Sequence, residues 1–162
     1  MVALLSEDET AVGILPQPYA TSATIKNENL HVTLDLNAAW DEVVGADGGS
    51  IATGVTIAKA STVEENPEVI DEFLARHAAS VAVAQDDPAS ITSTVVELGI
   101  IDSEPIAKAA IPMCNVACLT GEDLRTALSG YLEALFEQDP ASVGGALPGD
   151  DFYYATSVAD AS

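Results

Sequence analysis

Three short stretches in the first part of the chain have the hydrophobic pattern of β-strands. Residues 12–15 form an apolar run that ends at Pro16 and Pro18, and proline interrupts strand pairing. Residues 30–36 alternate strictly between apolar and polar positions, and residues 51–58 alternate larger apolar side chains with small ones. The pattern therefore predicts three strands.

The remaining pattern is typical of helices. Short helices are predicted over residues 19–26 and, capped by Asn37, through residue 44. After Asn66, apolar positions recur at helical spacing, and proline follows a capping residue at both Pro67 and Pro88. Another short helix is predicted over residues 103–111. The last long helix is predicted from Thr120, which forms a potential capping box with Asp123.

The order of these elements indicates a fold class. Three strands come first and about five helices follow, yet three strands alone make a small sheet whose edges need a partner or a cover. We therefore expect an α/β protein, of which this chain has the features of the back portion.

The charge of the chain excludes two classes of partner. Twenty-six acidic residues stand against five basic ones, which gives a net charge of −21. Nucleic acids and anionic membrane surfaces are both bound by clustered lysine and arginine, and no such cluster exists here.

No apolar run reaches the length of about 18 residues that spans a bilayer, and the N-terminus lacks the basic stretch of a signal peptide. We expect neither membrane insertion of this segment nor a secretion signal in it.

The residues offer little catalytic chemistry. The sequence contains no nucleophile elbow, zinc-protease motif, phosphate-binding loop or dinucleotide-binding motif. His31 is expected to be exposed or near a hinge, and His77 to pack within an apolar helix stripe. Cys114 and Cys118 are expected to be ordinary buried or half-buried thiols, with a local disulfide or an adventitious metal as the alternatives. We predict no catalytic residue, no resident metal and no cofactor.

One segment has the chemistry of a ligand site. Two prolines flank Gln17 and the aromatic Tyr19 follows, at the carboxyl end of the first predicted strand. Ligands of open α/β sheets bind at that end, and Gln17 offers donors and an acceptor while Tyr19 offers a stacking face. A rigid turn that binds nothing agrees with the pattern equally well.

Six segments, spread from about residue 3 to residue 154, carry a family resemblance. They are V-G-I-L-P-Q-P-Y-A-T-S-A, N-L-H-V-T-L-D-L-N-A-A-W-D-E-V, A-T-G-V-T-I-A-K with the following E-E-N-P-E-V-I-D-E-F-L, A-I-P-M-C-N-V, T-G-E-D-L-R-T-A-L-S-G-Y-L and S-V-G-G-A-L-P-G-D-D-F-Y-Y. In this order they resemble the substrate-binding proteins of ABC importers for nitrate, sulfonates, taurine and thiamine precursors.

The resemblance implies a two-lobed, type II periplasmic-binding-protein fold. Residues 1–29 would be the tail of the second lobe with the cleft segment, residues 30–47 the return crossover, and residues 48–162 the C-terminal part of the first lobe. Because such proteins have about 300 residues, the chain has the features of a truncated portion. The family binds a small polar ligand between its lobes and delivers it to the transmembrane subunits of a permease. It works outside the cytoplasm as a monomer, periplasmic or lipid-anchored at the cell surface.

The resemblance also implies site residues. It places Gln17, Pro18 and Tyr19 at the ligand cleft, with Thr53 and Gly54 as further ligand-binding candidates. Gly54 also agrees with a close-packing position. The sole tryptophan, Trp40, is expected in the core rather than at the ligand.

Two alternatives to a solute-binding protein stay open. One is an enzyme of the same superfamily that makes the thiamine pyrimidine, although two histidines are few for that chemistry. The other is a non-functional remnant.

Overall fold

The helices of the protein are seen in a computed structural model, which describes residue 5, residues 10–45 and residues 48–154. Within these residues the chain forms seven α-helices and four short 3-10 turns. The helices are α1 Tyr19–Lys26, α2 Leu36–Val44, α3 Ala60–Glu65, α4 Pro67–Asp86, α5 Thr92–Glu97, α6 Glu104–Ala110 and α7 Gly121–Gln138. The 3-10 turns are Pro88–Ile91, Ile111–Met113, Pro140–Val143 and Asp150–Phe152.

The predicted helices are confirmed, but three of their caps differ. Asp87, which precedes Pro88, makes no side-chain capping hydrogen bond. Helix α2 is capped by Asp35 rather than Asn37, because the Asp35 carboxylate accepts hydrogen bonds from the backbone N–H of Asn37 and of Ala38. Asp35 has an extended backbone, which lets its side chain reach the unpaired N–H groups of the first turn. Thr120 precedes α7 as predicted, but its side chain makes no capping hydrogen bond.

The prediction of an α/β fold is wrong for the described residues. So is the prediction that they form the C-terminal part of a two-lobed periplasmic-binding-protein fold with three strands. They contain no strand and no sheet. Three segments lie where the strands were predicted, and none of them makes the hydrogen bonds that pair strands in a sheet. We call them the three irregular segments; they are residues 11–16, 30–35 and 51–59.

The physical reason is that alternation alone does not make a strand. A strand is stabilised by hydrogen bonds to a neighbouring strand and by burial of one face, and the three irregular segments have neither. Val12 is 93% exposed and Ile57 is 83% exposed, and most of the other apolar positions of these segments are also exposed; Leu15, Leu30 and Ile51 are half-buried.

The chain divides into two compact units. The first unit comprises Met1–Thr33 and His77–Ala117, and the second comprises Leu34–Arg76 and Cys118–Ser162. Each unit is described by itself below.

The first unit contains the buried core. Ile101, Ile106, Ala107 and Ile111 form a cluster against which the partly buried Ala84, Ile91, Val95 and Val96 pack. Helix α1 packs on α6. Most of the buried residues on these two helices are small, which allows the two backbones to approach closely. The buried residues are Ser22, Ala23, Ile106, Ala107 and Ala110. The core therefore joins α1, the end of α4, α5, α6 and the 3-10 turns Pro88–Ile91 and Ile111–Met113.

The second unit is organised by a close approach of a loop to helix α7. The N–H of Ser50 donates to the carbonyl oxygen of Ala127 at 2.9 Å. A Cβ on Gly130 would lie 2.6 Å from the carbonyl oxygen of Gly48, so this helix position has to be glycine for the loop to lie where it does.

Candidate functional site

Gln17, Pro18 and Tyr19 lie at the N-terminal end of α1 in the first unit. The N–H of Ala20 donates to Pro16 O at 3.1 Å, and that of Ser22 to Pro18 O at 2.9 Å. The Gln17–Pro18 peptide bond is cis. Proline has no N–H to leave unpaired, so Pro18 suits the position at which the helix begins.

The side chain of Gln17 caps this helix. Its Oε1 accepts hydrogen bonds from the N–H of Thr21 at 3.2 Å and from the Thr21 hydroxyl at 2.8 Å. First-turn N–H groups have no acceptor within the helix, so Gln17 provides one. Its Nε2 amino group has no hydrogen-bond partner within the described part of the chain. The amide is therefore held by its oxygen, and neither of its two N–H groups donates to another described residue.

Tyr19 adds an exposed aromatic ring two residues away. It is 59% exposed, whereas Gln17 and Pro18 are half-buried. An oriented amide donor can bind an acceptor-bearing ligand, such as an oxyanion or a heterocycle with ring nitrogens.

Thr53 and Gly54 lie in the second unit and both are exposed in the third irregular segment. A Cβ on Gly54 would meet no atom within 4 Å, so close packing does not explain this glycine. The two residues join no polar cluster among the described residues. Their role in ligand binding stays a prediction.

Trp40 is half-buried and packs within the second unit. Its Nε1 donates to the carbonyl oxygen of Gly49 at 3.0 Å. Its ring meets that of Tyr131 edge-on, with centroids 5.6 Å apart. The indole therefore has a structural partner for its ring and for its N–H.

Cys114 and Cys118 are free, half-buried thiols, which confirms that prediction. Burial raises the pKa of both thiols, and the Cys114 Sγ donates to Ala110 O at 3.2 Å. A raised pKa leaves less thiolate at neutral pH, which disfavours nucleophilic chemistry.

His31 is exposed, as predicted, and His77 is half-buried. No group of three or more potential metal ligands comes together in the part of the chain that the structure describes.

A cleft that the sequence analysis missed lies in the first unit. Its volume is about 270 Å³, and its lining residues are Ala84, Gln85, Ile111, Pro112, Asn115 and Val116. The segment I-P-M-C-N-V contributes to the family resemblance, but nothing in its spacing marks a cavity. The available signal was an asparagine shortly after a proline turn, because asparagine tolerates the left-handed backbone that Asn115 adopts.

A smaller cleft, of about 190 Å³, lies in the second unit between α7 and the segment that follows it. On its lining, Arg125 forms an ion pair with Asp150, and its guanidinium lies 5.5 Å from the ring centroid of Tyr153. The hydrogen bond and the charge of Asp150 raise the pKa of Arg125. These contacts attach residues 150–153 to α7.

Comparison with protein-family models, curated proteins and solved structures gives no match to this chain. The resemblance to the importer proteins therefore stays a prediction from the sequence. Among the helices of the described residues, none combines the length and hydrophobicity needed to cross a bilayer.

Proposed function

We propose that the chain belongs to the solute-binding component of an ABC importer, which binds a small polar ligand and delivers it to the transmembrane subunits of a permease. The ligand is of the nitrate, sulfonate, taurine or thiamine-pyrimidine type. The observation that carries the proposal is the amino group of Gln17 at the start of α1, which has no hydrogen-bond partner among the described residues; the exposed Tyr19 follows two positions later.

The hydrogen bonds of Gln17 define what the ligand must offer. Its oxygen is already occupied by two donors from Thr21, so the amide can only donate to a ligand. A half-buried donor without a partner is costly unless water or a ligand accepts from it. The ligand atom at this point is therefore an acceptor, such as a nitrate or sulfonate oxygen or a pyrimidine nitrogen.

The attachment of the amide to Thr21 also favours binding energetically. A side chain that is already held in one orientation loses little conformational entropy when a ligand binds. Tyr19 is free to cover the ligand with its ring or to share its hydroxyl. A binding component does no chemistry on its ligand, so hydrogen bonds and shape are sufficient for this function.

The three irregular segments support a second part of the proposal, which concerns what covers them in the working protein. They leave large apolar side chains such as Val12 and Ile57 open to solvent, and such surface is normally covered by protein. We infer that the chain works as a portion of a longer binding protein whose other part covers these segments and supplies further ligand contacts. The complete protein would act outside the cytoplasm, periplasmic or anchored at the cell surface.

The size and location of the native protein test this proposal. An antibody against residues 120–154 is used to probe fractionated source cells. The proposal predicts a band at about twice the mass of this chain in the envelope fraction, which co-precipitates with ABC permease subunits after cross-linking. A band at 16.7 kDa in the cytosol would contradict it and would favour the remnant.

A further inference from the structure

The cleft beside Asn115 involves residues that the proposed function does not use. It lies within the first unit, between the end of α4 and the 3-10 turn that follows α6. Ile111 belongs both to its lining and to the buried core, so the cleft is supported by the packed part of this unit.

Two side-chain contacts hold the chain on either side of Asn115. The Nε2 of Gln85 donates to the carbonyl oxygen of Val116 at 2.9 Å. On the other side, the Sγ of Cys114 donates to the carbonyl oxygen of Ala110 at 3.2 Å. Asn115 is thus fixed at a defined position beside the cleft.

The backbone of Asn115 is unusual. Its φ of +49° lies in the left-handed region, and no other described residue except glycine has a positive φ. Such conformations persist where the surrounding structure imposes them, and they are concentrated at ligand-binding and active sites.

The lining of the cleft contains no ionisable side chain, although the chain has a net charge of −21. Its polar side chains are the two carboxamides of Gln85 and Asn115. Gln85 and Asn115 are both exposed at the mouth of the cleft, and the Asn115 amide and the oxygen of Gln85 have no hydrogen-bond partner within the described residues. A charged ligand would find no counter-charge here, whereas a neutral ligand with its own donor and acceptor would pair with both amides.

From these observations we propose that the cleft binds a small neutral amide, such as a lactam. The lactam carbonyl accepts from the Asn115 amide, its N–H donates to the free oxygen of Gln85, and its ring lies against Ile111 and Pro112. At about 30 Å³ for each water-sized volume, the cleft of about 270 Å³ holds about nine such volumes, which is enough for a small ring ligand. This site is additional to the ligand site of the proposed function.

The test is a titration of the isotope-labelled full chain, followed by backbone amide NMR. The probes share one ring size: ε-caprolactam has a donor and an acceptor, cycloheptanone has the acceptor alone, and azepane carries a positive charge. We expect ε-caprolactam to move the amide signals of residues 84–85 and 111–116, and to bind about three- to tenfold more tightly than cycloheptanone. Azepane is expected to leave these signals in place.

A matched pair of variants tests the role of the amide. Asn115→Asp keeps the size of the side chain and its tolerance for a positive φ, but it replaces the amide donor with a charged acceptor. We expect it to weaken ε-caprolactam about three- to tenfold, while Asn29→Asp, which adds the same charge at an exposed site in the same unit, leaves the affinity unchanged.

Several results would overturn the proposal. They are equal affinities for the three probes, no effect of Asn115→Asp, or signal changes absent from residues 84–85 and 111–116. Changes centred on Gln17 and Tyr19 would also overturn it, while leaving the proposed function intact.

Discussion

The hydroxyl of Tyr154 donates a 2.9 Å hydrogen bond to Oδ1 of Asp71, which lies 83 residues earlier in the chain. The bond attaches the end of the described chain to helix α4 within the second unit. It also raises the pKa of Tyr154, because the neutral phenol is the form that donates to the carboxylate.

This bond makes the stability of the second unit sensitive to alkaline pH. Because the folded-state pKa of Tyr154 is raised, its contribution is complete below the unfolded pKa of about 10 and is lost as the pH rises through the folded pKa. Tyr154→Phe should lower the free energy of unfolding by about 0.5–1 kcal/mol near neutral pH and should remove this alkaline loss. Urea unfolding at neutral and alkaline pH measures both effects.

Tyr153→Phe is the matched control for that experiment. The ring of Tyr153 packs against Phe152 and under the guanidinium of Arg125, but its hydroxyl has no partner among the described residues. Equal unfolding free energies for the two variants would show that the hydrogen bond to Asp71 contributes nothing.

The approach of the loop to α7 predicts a costly substitution at Gly130. Alanine normally stabilises a helix relative to glycine, but here its Cβ would lie 2.6 Å from the carbonyl oxygen of Gly48. We expect Gly130→Ala to destabilise the second unit by about 1–3 kcal/mol, since backbone has to move. Gly54→Ala, which meets no atom within 4 Å, should be neutral or stabilising. Thermal unfolding of both variants would contradict this account if Gly130→Ala melts no lower than Gly54→Ala.

The cap of α2 predicts that replacing either of two aspartates in the same region by alanine changes the free energy of unfolding by different amounts. Asp35→Ala removes two capping hydrogen bonds and should cost about 1 kcal/mol, whereas Asp41→Ala removes the same charge without a cap. The fluorescence of Trp40, the only tryptophan, reports the unfolding of this helix. If Asp41→Ala is as destabilising as Asp35→Ala, charge rather than capping determines the stability.

The burial of the cysteines predicts slow thiol chemistry. Because burial raises the pKa of Cys114 and Cys118, both should react with a thiol reagent more slowly at neutral pH than an unfolded cysteine peptide does. The rates should rise with pH and should approach the peptide's rate in denaturing urea. A native rate equal to that of the peptide would be inconsistent with the burial seen here.

The helices were accessible from the sequence because their signals are local. Pro67 follows a capping residue, and the apolar positions after it recur at helical spacing, so the start of α4 follows from the chain itself. The cap of α2 was misplaced by two residues, because Asp35 and Asn37 are both good capping residues and only the backbone conformation of Asp35 decides between them.

The strands were not accessible, because a strand depends on what lies beside it. Residues 30–35 alternate as a half-buried strand would, yet Val32 and Leu34 remain exposed. The same limit applies to the sites: Gln17 and Tyr19 stand out as residue types, whereas the cleft beside Asn115 arises from the meeting of α4 with a distant turn. No periodicity in either segment indicates that meeting.

The central claim, ligand binding through Gln17, is tested with Gln17→Glu introduced at the native locus. The glutamate keeps the oxygen that accepts from Thr21, so the helix cap is retained, but it loses both N–H donors. Gln138→Glu is the control, because it adds the same charge at an exposed position at the end of α7.

The measurement is calorimetric titration of the isolated native protein with nitrate, ethanesulfonate, taurine and an aminopyrimidine. We predict that at least one of them binds, that Gln17→Glu weakens this ligand about fivefold or more, and that Gln138→Glu leaves its affinity unchanged. Binding that is equally strong in the Gln17→Glu protein, or the absence of binding by all four ligands, would contradict the account.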